Sequence, residues 1–276
     1  MGEGNSLINL GDSSKPATVL IEKISEAVGG YFRPHQIKRV AEAEKIKAKA
    51  DLEISKLEQR AVQRFIAEEA QKQANIEIIS SKAIPNLDED SDPSKVENDW
   101  IVNFFDKCRL ISDDEMQDLW AKVLAGEANN PKNYSKRTIN FLSSLDKQDA
   151  LLFEKLCGFN WNINGLTPII LNEQDEIYKD NGISFSNLLH LNDIGLVSLE
   201  PRGYDSSGHD KRIKIKYYDK PVNIEFPDES ENKLRFGKIL LTKVGEELAP
   251  ICESNPVKGF LEYVFEEWEE DGLSIS

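Results

Sequence analysis

Histidine, cysteine and methionine are scarce in this chain of 276 residues: three, three and two respectively. Cys108, Cys157 and Cys252 lie far apart, and none belongs to a CxxC pair. So sparse and odd a set excludes a disulfide framework and reads as reduced thiols of a cytoplasmic protein, packed as small hydrophobes. His35, His190 and His209 are all outside ligand spacing of a cysteine, so no side-chain metal site is expected. No apolar run reaches the ~20 residues of a membrane span. The first residues, MGEGNSLINLGDSS, carry neither a basic nor an apolar leader segment. Positive charge is also short: 34 Lys and Arg against 49 Asp and Glu give a net charge of −15. Such a surface repels nucleic acid and anionic lipid at long range, unless a local basic patch overrides it.

Catalytic signatures are missing as well. There is no GxGxxG after a strand, no GxxxxGK[ST], no GxSxG elbow and no HExxH. Acidic runs such as Asp113-Asp114-Glu115 read as first-turn acids at a helix N-terminus. His190, inside an apolar helix, reads as a packed or rim residue, and His209 as an exposed hairpin residue. No catalytic residue and no cofactor is assigned, and the chain is read as a non-enzyme.

What the chain does have is helix. Residues 1–14 are polar and read as a flexible N-terminus. Pro16 suits a first helical position, with Ser14 as its cap. Val19, Leu20, Ile24, Ala27, Val28 and Tyr31 then recur at helical spacing, and Gly29-Gly30 ends the stripe. From about Pro34 to Ala83 neither Gly nor Pro interrupts a run rich in Ala, Glu, Lys, Gln and Arg, all good helix formers. Unbroken, that helix would reach about 70 Å. Its apolar stripe, Ile46, Ala50, Ile54, Leu57, Ala61 and Phe65, is too narrow to bury the helix alone and needs a partner. The heptad register holds only over a short stretch, so a coiled coil is weakly specified.

An acidic linker over residues 85–95 separates this segment from a helical bundle at 96–145. Ser94 and Glu97 read as a capping box, Ser112 as the next cap, and Ser135 as the start of a third helix. Val96, Trp100, Ile101, Phe104, Phe105 and Cys108 line one face, and Met116, Leu119, Trp120, Val123 and Leu124 another, with the second helix stopping at Gly126. Residues 146–255 mix helix and strand: a helix over Asp146–Cys157, a strand over Leu166–Leu171, a helix over Ser184–Ile194 and strands at 196–199, 211–218, 221–226 and 234–241. Helices followed by strands with a polar hairpin, Gly203–Asp210, match a winged-helix-like module. Residues 256–276 form a last helix and an acidic tail. The expected fold is mainly α: a long N-terminal helix, a small helical bundle and a C-terminal winged-helix-like α+β module.

The segment LISDDEMQDLWAKVLAGEANNPKNYSKRTINFLSSLDKQDALLFEKLC (110–157), with EEAQKQANIEIISSKA (68–83) and VENDWIVNFFDKC (96–108), resembles a bacterial family of unknown function. Its central pattern is similar to that of the abortive-infection alpha family, which is linked to defence against phage. The resemblance covers roughly residues 15 to 200. It supplies no catalytic residues. In its pattern Trp120, Leu124, Thr138 and Leu142 look like core, while Lys136 and Arg137 look like surface.

The expected function is that of an interaction or scaffold protein. It would self-associate, or bind a protein partner, through Ile46, Ala50, Ile54, Leu57, Ala61 and Phe65. The alternative is nucleic-acid binding through Lys45, Lys47 and Lys49 on the long helix and Lys211, Arg212, Lys214 and Lys216 on the hairpin. The helix over Ser184–Ile194 carries no Lys or Arg for base or phosphate contacts. A third reading lays residues 16–32 on a membrane surface. A last guess, from charge alone, pairs the basic half of the long helix with the acidic tail of a neighbouring copy.

Overall fold

The computed structural model describes residues 14–28 and 56–276. The expectations for residues 1–13 and 29–55, including the upstream half of the long helix and the end of its preceding apolar stripe, lie outside the described residues. The chain divides into two compact units, Met1–Ser144 and Leu145–Ser276.

The first unit is helical. Helix α1 (residues 15–28) buries Ala17, Leu20, Ile21, Ile24, Ala27 and Val28, the three- and four-residue spacing of a single face. Its apolar stripe is therefore buried over these residues. Helix α2 (Lys56–Ala83) buries Ile76, Ile79 and Ala83 in its last turns, where it packs chiefly on α4 (Asp114–Asn129). Helices α3 (Asn98–Cys108) and α5 (Lys136–Leu142) complete the unit. Its centre is aromatic. Trp100 stacks on Phe104 at 5.1 Å and 17°, and Phe104 meets Trp120 edge-on at 5.1 Å and 69°, the offset and T-shaped arrangements that ring quadrupoles favour. Trp100 donates its indole N–H to the Tyr134 carbonyl at 2.7 Å.

Local capping was largely legible. Ser135 accepts the Thr138 amide, as expected. The cap of α4 is Asp113 rather than Ser112, accepting from the Met116 amide, and α4 runs past Gly126 to Asn129. Gly126 does not stop the helix; its open Cα makes room for the Tyr134 ring, 2.8 Å from where a Cβ would sit. The Ser94–Glu97 capping box does not form: Ser94 bonds Asp92 instead, and Glu97 precedes α3 with no side-chain cap bond.

Glu127 holds the loop after α4. Its carboxylate is 2% exposed and accepts the amides of Lys132 at 2.7 Å and Tyr134 at 2.9 Å. Burial pushes its pKa above the ordinary carboxylate value, against the pull of those amides. Glu127→Gln puts an amide NH2 against one of the two donors, so a loss of about 1–3 kcal/mol is expected at neutral pH. Because the folded-state pKa is raised, the carboxyl's contribution is full below its ordinary value of 4.5 and declines as pH rises through the folded value. Glutamine does not titrate. The gap between wild type and variant should therefore be widest in acid and narrow toward neutrality, as urea unfolding at both ends of that range would show.

The second unit is mixed. Helix α6 (Lys147–Cys157) leads into β1 (Asn160–Asn162) and β2 (Leu166–Pro168). After the short α7 (Glu176–Lys179) and α8 (Phe185–Asp193) come β3 (Val197–His209), β4 (Arg212–Tyr217), β5 (Lys220–Glu225) and β6 (Asn232–Leu241). Helices α9 (Lys243–Leu248) and α10 (Phe260–Glu270) and strand β7 (Ser274–Ile275) close the unit. Five strands form one antiparallel sheet in the order β2-β1-β4-β5-β7, and β3 pairs with β6 in a second, two-stranded sheet. Ile215, Tyr217, Val222 and Ile224 alternate inward from β4 and β5. They face an aromatic core in which Trp161 packs against Tyr217 and Trp268 at ring distances of 5.2 Å.

These sheets correct the expected fold class. The chain is not a mainly α protein ending in a winged-helix-like module but a mixed α and β one in which helices dominate. The strand after α8 was expected to stop near residue 199 and turn through a polar hairpin into the strand at 211–218. Instead β3 continues through Gly203, at φ 84°, to His209 and pairs with β6, while β4 joins β1 and β5 in the other sheet. The polar residues 203–209 are strand residues of a ribbon, not a wing.

Candidate functional site

Helix α2 is two different helices in its environment. From Lys56 to Ala74 no residue is buried, a length of roughly 28 Å; the turns beyond are anchored to α4. Leu57 is 67% and Ile66 50% exposed, large apolar side chains left in water. Of the expected assembly residues, Leu57 and Ala61 are exposed and Phe65 is half-buried. Successive steps of four rotate them about 40° each along one side. Ile46, Ala50 and Ile54 lie outside the described residues. Ion pairs within the helix, Arg64–Glu68 at 3.3 Å and Lys72–Glu69 at 2.8 Å, are surface pairs of small energetic weight.

The hairpin cations are split. Lys211 pairs with Glu229 and Arg212 with Glu225, each raising the cation's pKa. Lys214 and Lys216 are exposed on the same face of β4, and neither forms an ion pair with a described carboxylate. Lys45, Lys47 and Lys49 lie outside the described residues. In the acidic tail, Glu267 and Asp271 both pair with Arg235 at 3.0 Å, so part of that run is engaged inside its own unit. His190 is an exposed partner of Asp149 at 2.7 Å, joining α8 to α6. His209 stacks on Phe226 at 5.7 Å and 6°.

A family model described as "Protein of unknown function (DUF2806)" matches residues 59–265. The chain belongs to that family. No curated protein and no solved structure matches it. The DUF2806 match begins within α2 and ends within α10, so it takes in parts of both units and the exposed end of α2 almost entirely. No described helix is long and apolar enough to cross a membrane.

One feature of this DUF2806 chain had no signal in its sequence. Cys157, at the end of α6, and Cys252, in the segment after α9, line one cleft of about 220 Å³ together with Asn160, Tyr218 and Ser254. That volume is below the ~300 Å³ at which small-molecule pockets begin. The neighbouring Cys252 thiol, with burial, holds the Cys157 pKa well above its ordinary value, while the Cys252 thiol donates to the Leu248 carbonyl at 3.6 Å. Tyr218 ties the rim together: its hydroxyl lies 3.4 Å from the Cys157 carbonyl and 2.9 Å from the Ser254 hydroxyl. Widely spaced cysteines outside any motif reveal such a meeting only once β1, β4 and the loop after α9 have converged.

Proposed function

We propose that this DUF2806 chain is a non-enzymatic cytoplasmic scaffold that self-associates through the exposed half of α2. The observation that carries this reading is the stretch Lys56–Ala74, helical yet without one buried residue. Most helical stability in proteins comes from packing of a face, and Leu57, Ala61 and half-buried Phe65 supply one apolar side for a second copy. Size exclusion with light scattering at tens of micromolar tests it. A mass above the 31.2 kDa monomer is expected. The double substitution Leu57→Glu, Ala61→Glu should weaken the assembly at least tenfold, since two buried charges in a helix seam are costly. A monomer at that concentration overturns the reading.

The pattern at residues 110–157, similar to that of the abortive-infection alpha family, supports placing this assembly in defence against phage. Plaque counts on a bacterial host expressing the chain or its Leu57→Glu, Ala61→Glu variant check this; protection that disappears with assembly is expected, and none in either case rules it out.

A second reading, nucleic-acid binding, rests on the exposed pair Lys214 and Lys216. Two of its four hairpin cations are already matched by carboxylates, which leaves few phosphate contacts. Fluorescence anisotropy with random duplex at about 50 mM salt, where phosphate contacts are strongest, is expected to show no binding. Saturable binding there that falls with salt would favour this reading instead.

A further inference from the structure

We infer that Cys157 and Cys252 are a modification site, a dithiol that closes reversibly into a disulfide across the cleft they share. Three observations carry it. Both side chains line the same cleft of about 220 Å³, so a bond of about 2.05 Å would join residues that already share one small space. The pair is asymmetric: Cys157 is buried while Cys252 is half-exposed at the cleft mouth, the arrangement of an attacking thiol with a resolving thiol behind it. No third Cys, His or carboxylate joins them among the described residues to make a metal-binding group, so they offer a two-electron couple rather than a tetrahedral cage.

The oxidant is a low-molecular-weight disulfide such as oxidised glutathione. The Cys252 thiolate attacks one of its sulfurs, the small S–S bond breaks, and one glutathione leaves as thiolate. The Cys157 thiol then loses its proton and attacks the Cys252 sulfur, expelling the second glutathione. Two protein thiols are oxidised, one small disulfide is reduced to two thiols, and the two protons pass to those products. Because the Cys157 pKa is raised, its thiolate fraction grows as pH rises, and the second step speeds with it. The bond would staple the end of α6 to the turn after α9, making that corner of the unit sensitive to thiol–disulfide poise.

The test uses the full chain. It is incubated with oxidised glutathione, trapped with an alkylating agent and mapped by mass spectrometry. The expected product has lost two hydrogens, carries one cross-linked peptide pair containing Cys157 and Cys252, and regains both thiols on reduction. Cys108, fully buried in the other unit, should be absent from any cross-link. Cys157→Ser should stop at glutathione held on Cys252, and Cys252→Ser should form no internal bond. Wild type left unreacted, wild type retaining glutathione on Cys252, or a cross-link through Cys108 each overturns the proposal. Should Cys157→Ser fold poorly, the wild-type map and Cys252→Ser still decide.

Discussion

Gly237→Ala is expected to destabilise the chain by about 3 kcal/mol or more, enough to remove a large part of a typical folding free energy. Gly237 sits in β6 at φ 92°, a conformation that costs any L side chain strain. A Cβ there would lie 1.9 Å from the Ile170 carbonyl oxygen and 2.3 Å from its carbon. Those are backbone atoms and cannot swing aside. Gly237 bridges Ile170 in parallel, and the flanking bonds, Ile170 N–H to the Phe236 carbonyl at 3.2 Å and Lys238 N–H to the Ile170 carbonyl at 3.0 Å, hold that approach closed. Pushing the strands apart would break both and open the fully buried Ile170 side chain to water. Urea unfolding followed by circular dichroism measures the loss. A change under about 0.5 kcal/mol, the usual scale of surface substitutions, would mean that the two backbones are not in contact.

Trp120→Ala should cost about 3–5 kcal/mol, the range for deleting a buried indole. Trp120 is fully buried and packs edge-on against Phe104 in the first unit's aromatic centre. Its indole N–H has no acceptor among the described residues, so the loss comes from packing and not from a broken hydrogen bond. That separates two variants. Trp120→Phe keeps an aromatic ring and gives up no hydrogen bond, so about 1–2 kcal/mol is expected from the smaller volume. Equal losses in both variants, by the same urea titration, would contradict a packing origin.

The parts legible in the sequence were those decided within a few residues. Ser135 and Ser184 were read as the starts of helices, and each accepts the amide three residues on. The alternation of β4 and β5 was likewise visible, because one face is buried. Strand partnership was not visible. The polar run Gly203-Tyr204-Asp205-Ser206-Ser207 looks like a loop because its ribbon buries few side chains, and hydrophobic pattern is what marks a strand. β1 is three residues long, too short for any periodicity to register. Nor did α2 disclose which of its faces would be covered. Its final turns carry Ile76, Ile78 and Ile79, but only the placement of α4 shows that Ile76 and Ile79 are buried while Ile78 stays exposed. The cysteine cleft depends on chain convergence and leaves no local trace.

The ribbon of β3 and β6 has a consequence for how this chain behaves in crowded solution. A two-stranded sheet exposes strand edges, and a long straight edge invites a foreign strand to add to it. β3 offers no such ruler. Its register slips at three places, between Leu199 and Tyr204, Tyr204 and Asp205, and Ser207 and His209. Pro201, which has no N–H to give, falls within the first slip, flanked by Glu200 and Arg202. The Leu199 amide is already taken by the Asn192 side chain. An incoming strand would find its hydrogen-bond partners out of step, missing or occupied, so the irregular register of β3 works against fibrous growth from this edge.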